Sequence, residues 1–328
     1  MAVTAPARAS TGPEIGLRKE RTLWGDAWRR LRRNRAALIG MVVIGLFAFL
    51  AIFANVIASD PTLNIVTGNN NRPPFWVNEG EEISKFGSRE YPLGTDSNGR
   101  DLLSRLAFGA RTSLIIGIVP TILVVLMGLS LGMSAGYSGG RTDNLLMRFT
   151  DVIYAFPDLL FLIIMMTAFR DTALGRPFGG LFLIFVALSV VSWTGIARLI
   201  RGQVLSVKEK EFVEAARAVG SSRVRIMRRH LLPNILAPII VWSTFSIPGY
   251  IIGEAALGFL GVGMRPATPG TPSAFPTSWG VLLQEGYTGI NANPWILVWA
   301  ACAIGLTTMA FTFVGDGLRD ALDPRQKH

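Results

Sequence analysis

Hydrophobic residues occur along the chain in six long runs separated by polar segments. Each run has roughly 20 residues with almost no charge, and a helix of that length crosses a hydrocarbon layer about 30 Å thick. We therefore predict an all-α polytopic membrane protein with six transmembrane helices. The predicted spans are 36–58, 112–136, 145–169, 179–200, 235–262 and 294–316.

The composition agrees with a membrane protein. The chain has 328 residues, of which 50% are hydrophobic and 16% are charged, and its mean hydropathy is +0.41. Soluble domains usually carry about 25% charged residues, so an ordinary soluble enzyme is excluded. The net charge of +10 is compatible with nucleic-acid binding, but the basic residues cluster beside the apolar runs. That arrangement favours the lipid bilayer, and not nucleic acid, as the partner.

Lysine and arginine residues are distributed unequally between the two sides of the predicted spans. Alternate segments place 23 of the 32 basic residues on one side. The positive-inside rule makes this richer side cytoplasmic, and both termini lie on it. The topology then predicts a cytoplasmic N-terminal segment (1–35), an external loop (59–111), a cytoplasmic loop (201–234) and a cytoplasmic tail (317–328).

The basic N-terminal segment contains the pattern of a short amphipathic helix. Trp24, Trp28 and Leu31 are spaced four and three residues apart, with several arginines beside them. This pattern is typical of a helix on an anionic membrane surface, and a solvated basic tail is the alternative. The segment lacks the apolar core of a secretory signal peptide, so we expect it to remain in the mature chain.

Glycine and proline positions add two predictions about local structure. The second span carries Gly128, Gly132 and Gly136, a small-residue ridge that allows another helix to approach closely. The external segment 263–293 contains several prolines, which predict no regular helix there. These prolines are Pro266, Pro269, Pro272 and Pro276.

The cytoplasmic segment 201–234 has the pattern of two short helices joined by a tight turn. Apolar residues with helical spacing continue to Val219, and Gly220 is expected to end that helix. Ser221 or Ser222 is expected to cap a second helix, which Pro233 stops before the fifth span. The pattern fits an element that binds a cytoplasmic partner, and a helix pair on the lipid surface is the alternative.

This cytoplasmic segment also resembles a known motif. Glu214-Ala215-Ala216, then Gly220, then His230-Leu231-Leu232-Pro233-Asn234 are similar to the EAA loop of bacterial ABC-importer permeases. The similarity covers most of the chain from Leu93 to Arg325. Its further blocks are Leu93-Gly94-Thr95-Asp96, Gly99-Arg100-Asp101, Phe156-Pro157, Glu254, Leu257–Gly261, Trp279-Gly280 and Gly315–Asp320. Together they resemble the C-type subunit of the dipeptide/oligopeptide/nickel permease family.

The resemblance implies a type I ABC importer permease fold, whose core of five transmembrane helices (112–316) includes the coupling loop 201–234. It also implies a heterodimer with a second permease subunit, two ATPase subunits that bind ATP and magnesium, and an extracytoplasmic solute-binding protein. The coupling-loop residues are then Glu214, Ala215, Ala216, Gly220, His230 and Pro233. The implied cargo is a dipeptide, an oligopeptide or a related solute, imported across a bacterial or archaeal plasma membrane. Gly258 departs from the family pattern, in which serine is common, so the resemblance does not fix the cargo.

Catalytic and cofactor motifs do not fit the sequence. The P-loop pattern is absent, so ATP hydrolysis would come from a partner and this chain is not expected to be an enzyme. Gly136–Gly140 matches the pattern G-x-S-x-G of serine hydrolases but lacks its strand–turn–helix context. Two histidines and one cysteine do not support a zinc site, and the segment from Asp96 lacks the last glutamate of a calcium loop. We therefore expect no cofactor in this chain.

Charged residues within or beside the spans are costly to bury and are candidates for function. Asp158 and Glu254 are candidates for the transport pathway or a subunit interface. Four others are expected to have structural roles: Arg148 paired with Asp151, and Asp316 and Arg319 bracing the end of the last span. The rival hypothesis is an ion-gradient-driven secondary transporter or channel, which would carry several titratable residues near the midplane.

Overall fold

The structure is a computed structural model that describes residues 23–58, 68–77, 86–268, 270–271 and 273–323. Predictions for the remaining residues lie outside this part of the chain, as do those for the side chain of Trp24 and for Pro269 and Pro272. The described residues are all-helical, as predicted. The helices are α1 (Leu23–Leu31), α2 (Arg35–Ile52), α3 (Ala54–Ile57), α4 (Leu102–Ser138), α5 (Gly140–Tyr154), α6 (Asp158–Phe169), α7 (Leu181–Val207), α8 (Glu211–Ala218), α9 (Arg223–Ile226), α10 (Leu232–Phe259), α11 (Trp279–Thr288) and α12 (Trp295–Leu322).

The described helices agree with the six predicted spans. Five are long and apolar enough to cross a membrane, and the bent pair of α5 and α6 supplies a sixth span if it counts as one. Some boundaries differ from the prediction. Helix α4 begins at Leu102 and not at 112, and α12 continues to Leu322 and not to 316. Both helices therefore extend into segments that were expected to be loop or tail.

The third span is not the continuous helix predicted over 145–169. Helix α5 ends at Tyr154, α6 begins at Asp158, and the two are bent by 72°. Pro157 explains the break, because proline lacks the N–H of a helix ladder and disfavours helical backbone in the preceding residue. The break leaves Asp158 exposed at the start of α6, where no side chain caps the helix.

The early start of α4 follows from a capping carboxylate. Asp101 accepts hydrogen bonds from the backbone N–H groups of Leu103 at 3.3 Å and Ser104 at 2.9 Å. These bonds satisfy helix donors that would otherwise lack a partner. Since Asp101 starts the helix, the residues from 102 to 111 are helical, although the sequence placed them in the external loop.

The glycine ridge of α4 packs against α7, as predicted. A Cβ atom at Gly132 would lie 2.5 Å from the carbonyl oxygen of Ala197, and one at Gly136 would lie 2.9 Å from the Cβ of Val204. Both distances are too short for any side chain, so the two helices contact each other through their backbones. This contact brings the C-terminal ends of α4 and α7 together, and α8 follows shortly after α7.

The N-terminal helix α1 contacts the C-terminal end of α12. Ala27 and Leu31 are buried in a small cluster with Ala37 and Ala321, and Trp28 is exposed. The predicted amphipathic helix is therefore present, but part of its apolar face contacts protein. Arg32 lies over the exposed ring of Trp28 at 5.9 Å, and the contact of Trp28 with the membrane surface stays a prediction.

The proline-rich segment 263–293 contains a helix that the sequence did not predict. Helix α11 begins after Ser278, whose hydroxyl accepts a hydrogen bond from the N–H of Val281 at 3.2 Å. Trp279 is fully buried, and its backbone N–H donates to the Ser113 hydroxyl at 3.1 Å. The described prolines, Pro266 and Pro276, precede this helix, so they do not interrupt it.

Candidate functional site

The coupling element, residues 208–234, has the predicted helix–turn–helix form. Gly220 lies between α8 and α9 with φ of +79°, and its N–H donates to the Arg217 carbonyl at 2.9 Å. A positive φ is costly for any residue with a Cβ atom, which explains the glycine. Ser222 caps α9, since its hydroxyl accepts a hydrogen bond from the N–H of Arg225 at 3.4 Å.

The second helix of the coupling element does not end at Pro233, contrary to the prediction. Residues 223–259 form one helical segment that continues into the fifth span. A π-helical turn at Met227–Leu231 precedes Pro233, which lies in the first turn of α10. The wider turn relieves the clash that proline makes with a preceding α-helical turn. As a result, no flexible joint separates α9 from α10.

One face of α8 is fixed to the body of the chain. Val213 and Ala216 are buried in the large core cluster that also contains Val204 and Leu231. The side chain of Ala216 therefore points into this core, and its place in the coupling loop stays a prediction. Glu214, Ala215 and Gly220 are exposed, as a partner-binding surface requires.

The other face of α8 is an exposed mixture of apolar and charged side chains. Val219 is 83% exposed and Phe212 is 43% exposed, and the ring of Phe212 lies 6.4 Å from that of His230. Beside them is a polar recess of about 430 Å³. Its lining residues are Tyr137, Ser138, Lys208, Glu209, Glu214, Arg217 and Arg223. Exposed apolar groups next to a charged recess are typical of a protein-binding surface.

A second cavity lies between α6, α7 and α10 and has a volume of about 390 Å³. Asp158 lines this cavity from the break in the third span. Trp242 and Tyr250 line it from α10, and Ser192 from α7. The cavity lies among the long apolar helices, and a pathway role for Asp158 stays a prediction.

A buried network of charges links the motif before α4 to α11. Asp96 accepts hydrogen bonds from Arg100 Nε at 2.6 Å and from Arg105 Nη1 at 2.8 Å. Arg105 Nη2 donates to Glu285 Oε1 at 3.0 Å, across 180 residues of sequence. Arg105 is 1% exposed. The resemblance in the sequence included Asp96 and Arg100 but not Glu285, because local spacing does not reveal a contact between such distant segments.

Comparison with known families identifies the chain. The model of binding-protein-dependent transport system inner membrane components matches residues 128–328, and that of the N-terminal transmembrane domain of oligopeptide transport permease C matches residues 22–74. The chain belongs to the family of binding-protein-dependent transport system inner membrane components. It is thus a polytopic permease of the bacterial inner membrane, which agrees with the resemblance seen in the sequence.

Individual relatives of the permease cover nearly its whole length. It is 39% identical to the oligopeptide transport system permease protein OppC of Haemophilus influenzae, over 94% of this chain and 90% of that protein. It is 37% identical to the dipeptide transport system permease protein DppC of Bacillus subtilis, over 92% and 85%. Among solved structures, the inward-facing MetNI methionine ABC transporter superposes with a TM-score of 0.53 at 22% identity, over 68% of this chain and 96% of that one. The type I importer fold is therefore confirmed.

Glu254 does not line the cavity of the permease, in contrast to the expectation of a pathway or interface role. Its side chain is fully buried, and Oε1 accepts a hydrogen bond from the Ser278 hydroxyl at 2.6 Å. Gly280 lies against it, since a Cβ atom there would be 2.9 Å from both carboxylate oxygens. Glu254 therefore joins α10 to the start of α11.

This placement predicts a structural effect for Glu254→Ala. Loss of the Ser278 bond and the new cavity should lower the free energy of unfolding by about 2–4 kcal/mol. Thermal inactivation of the purified transporter would be earlier, whereas uptake per folded complex would be unchanged. Glu254→Gln keeps the shape and one acceptor, so it serves as the control and should lie near wild type. If Glu254→Ala kept a normal thermal profile but lowered uptake per complex, Glu254 would instead have a role in the transport pathway.

The charged pairs of helix α5 differ from those predicted. Asp151 bonds to Arg198 on α7 at 2.7 Å and not to Arg148. A second pair, Asp143 with Arg201 at 2.6 and 2.7 Å, was not predicted from the sequence. Both pairs join α5 to α7. The two carboxylates therefore bind arginines on a neighbouring helix and not on their own helix.

Asp316 and Arg319 occupy the end of α12 and are both exposed. No ion pair joins them to each other or to another residue in the part of the chain that the structure describes. Arg319 lines a recess with Leu322 and Phe245. Their bracing role therefore stays a prediction. The same described residues contain no group of three or more metal-binding side chains.

Proposed function

We propose that this permease is one of two different membrane subunits of an ATP-driven importer of dipeptides, oligopeptides or related solutes. The relatives named as oligopeptide and dipeptide transport permeases support this cargo, because they align over nearly the whole chain. Two partner ATPase subunits would bind ATP and magnesium, and an external solute-binding protein would deliver the cargo. Both termini and the coupling element would lie in the cytoplasm.

The connection between the coupling element and the spans is the main support for the proposal. Helix α8 is fixed by Val213 and Ala216 to the core between the ends of α7 and α10. Helix α9 continues into α10 without an interruption. A partner that moves the exposed face of α8 would therefore move both spans. These two helices line the cavity of Asp158, so their movement would open or close it, as alternating access requires.

The rival hypothesis of an ion-gradient-driven transporter or channel has less support. Such proteins place several titratable groups near the midplane. Of the two candidates in the spans, only Asp158 lines the cavity, because Glu254 is buried against α11. The rival also gives no role to the exposed face of α8.

Uptake in proteoliposomes tests the proposal. The permease would be reconstituted with its second permease subunit, the two ATPase subunits and the solute-binding protein, and the uptake of radiolabelled trialanine would be measured. We expect uptake that requires ATP on the side of the ATPase subunits and that persists when ionophores remove all ion gradients. Uptake that follows an imposed proton or sodium gradient without ATP would overturn the proposal in favour of the rival.

A further inference from the structure

We infer that the cavity beside Asp158 binds the cationic amino group of the cargo, which for a peptide is its N-terminal ammonium. The inference rests on the proposed function, because it specifies which part of an imported peptide this cavity recognises. It depends on three features of the cavity: the position of Asp158, the absence of a counter-ion for it, and the aromatic side chains around it.

The position of Asp158 directs a carboxylate into a space large enough for part of a peptide. The cavity holds about 390 Å³ and is bounded by α6, α7 and α10. Asp158 is the first residue of α6, where the backbone N–H groups of the first turn lack helical acceptors. This end of a helix stabilises a negative charge.

Asp158 has no counter-ion among the residues that the structure describes. It is the only Asp, Glu, Lys or Arg among the described residues that line the cavity. Arg198 on α7 is bonded to Asp151 at 2.7 Å, and its guanidinium lies 4.1 Å from the ring centre of Tyr154, a residue of the cavity wall. One unbalanced negative charge therefore faces the cavity, and a cationic group of the cargo would neutralise it.

The remaining walls also suit an ammonium group. Trp242 and Tyr250 place aromatic rings around the cavity, and such rings attract cations through their faces. Ser192 and Ser246 add hydroxyl oxygens that accept hydrogen bonds. Every unblocked peptide carries an N-terminal ammonium, so this site would accept peptides of any sequence and would reject those with a blocked N-terminus.

Protection of an introduced cysteine tests this inference without the solute-binding protein, which has its own selectivity. Ser246→Cys would be made together with Cys302→Ser in the complex of both permease subunits and the ATPase subunits. The rate of maleimide labelling at position 246 would be measured with increasing trialanine or N-acetyl-trialanine. We expect trialanine to protect at concentrations about tenfold lower than its acetylated form, the ratio typical of one charge-assisted bond. Asp158→Asn should remove this difference.

The control is Asp171→Asn, which removes an external carboxylate that is 78% exposed and pairs with Arg265 at 3.0 Å. This variant should keep the tenfold difference. Equal protection by both peptides in the wild type, or an unchanged difference in Asp158→Asn, would overturn the inference. Failure of Asp158→Asn to co-purify with the second permease subunit would also overturn it, in favour of a contact between subunits. ATP-dependent uptake of trialanine by the same variants, reconstituted in proteoliposomes with the solute-binding protein, would show that the proposed function still holds.

Discussion

Gly220→Pro is expected to abolish ATP-coupled uptake while the permease remains inserted in the membrane. The φ of Gly220 is +79°, whereas proline fixes φ near about −65°. Proline also removes the N–H that donates to Arg217 at 2.9 Å. The turn would therefore change its backbone path, and α8 and α9 could not both keep their present positions. Uptake of trialanine in proteoliposomes and the membrane content of the permease would be measured together.

Gly220→Ala is the matched control for this prediction. A Cβ atom at this position meets nothing within 4 Å, and alanine keeps the N–H. Only the cost of the left-handed backbone remains, about 1–2 kcal/mol, so most uptake should survive. If Gly220→Pro transported at the rate of Gly220→Ala, the turn would not transmit movement to the spans.

Arg105→Gln is expected to destabilise the permease strongly. Its guanidinium is buried and joins Asp96, which precedes α4, to Glu285 on α11. Glutamine would leave Arg100 to neutralise both carboxylates, at 2.6 Å from Asp96 and 3.6 Å from Glu285, and the loss of one buried cation costs up to about 3–5 kcal/mol. Arg105→Lys should rescue only part of the loss, because an ammonium cannot bond both carboxylates in the manner of a planar guanidinium. Thermal inactivation in detergent and the amount of inserted protein would measure the effect.

The control for Arg105 is Arg265→Gln, which breaks an ion pair at the surface. Arg265 and Asp171 lie 3.0 Å apart with side chains 52% and 78% exposed. Exposed pairs contribute at most about 1 kcal/mol, so this variant should behave nearly as wild type. Similar losses in the two variants would mean that the buried network does not hold α11 in place.

Local signals in the sequence were sufficient for most of the helices. Charge-free runs predicted the spans, and Gly220 and Ser222 predicted the turn of the coupling element. These features depend on neighbouring residues, and each has a direct physical cause in hydropathy or backbone geometry. The break at Pro157 was also present locally, but the apolar run on both sides of it suggested one continuous helix.

The sequence did not predict the contacts between distant segments. The residues next to Glu254 in the sequence do not show whether its side chain faces a pathway or Ser278. Only the fold distinguishes the two arrangements. Asp151 could pair with Arg148 on its own helix or with Arg198 on α7, and the packing of α5 on α7 selected the second. Helix α11 was missed because the prolines before it dominated the pattern.

Cross-linking from α8 to the ATPase tests the central claim most directly. Val219→Cys and Val56→Cys would be made in a Cys302→Ser permease, and both positions are 83% exposed. Val219 follows α8, whereas Val56 lies in α3 at the predicted external end of the first span. After treatment of the assembled transporter with a membrane-permeable bifunctional maleimide, we predict that position 219 cross-links to an ATPase subunit and position 56 does not. Cross-linking from position 56, or none from position 219, would contradict the account.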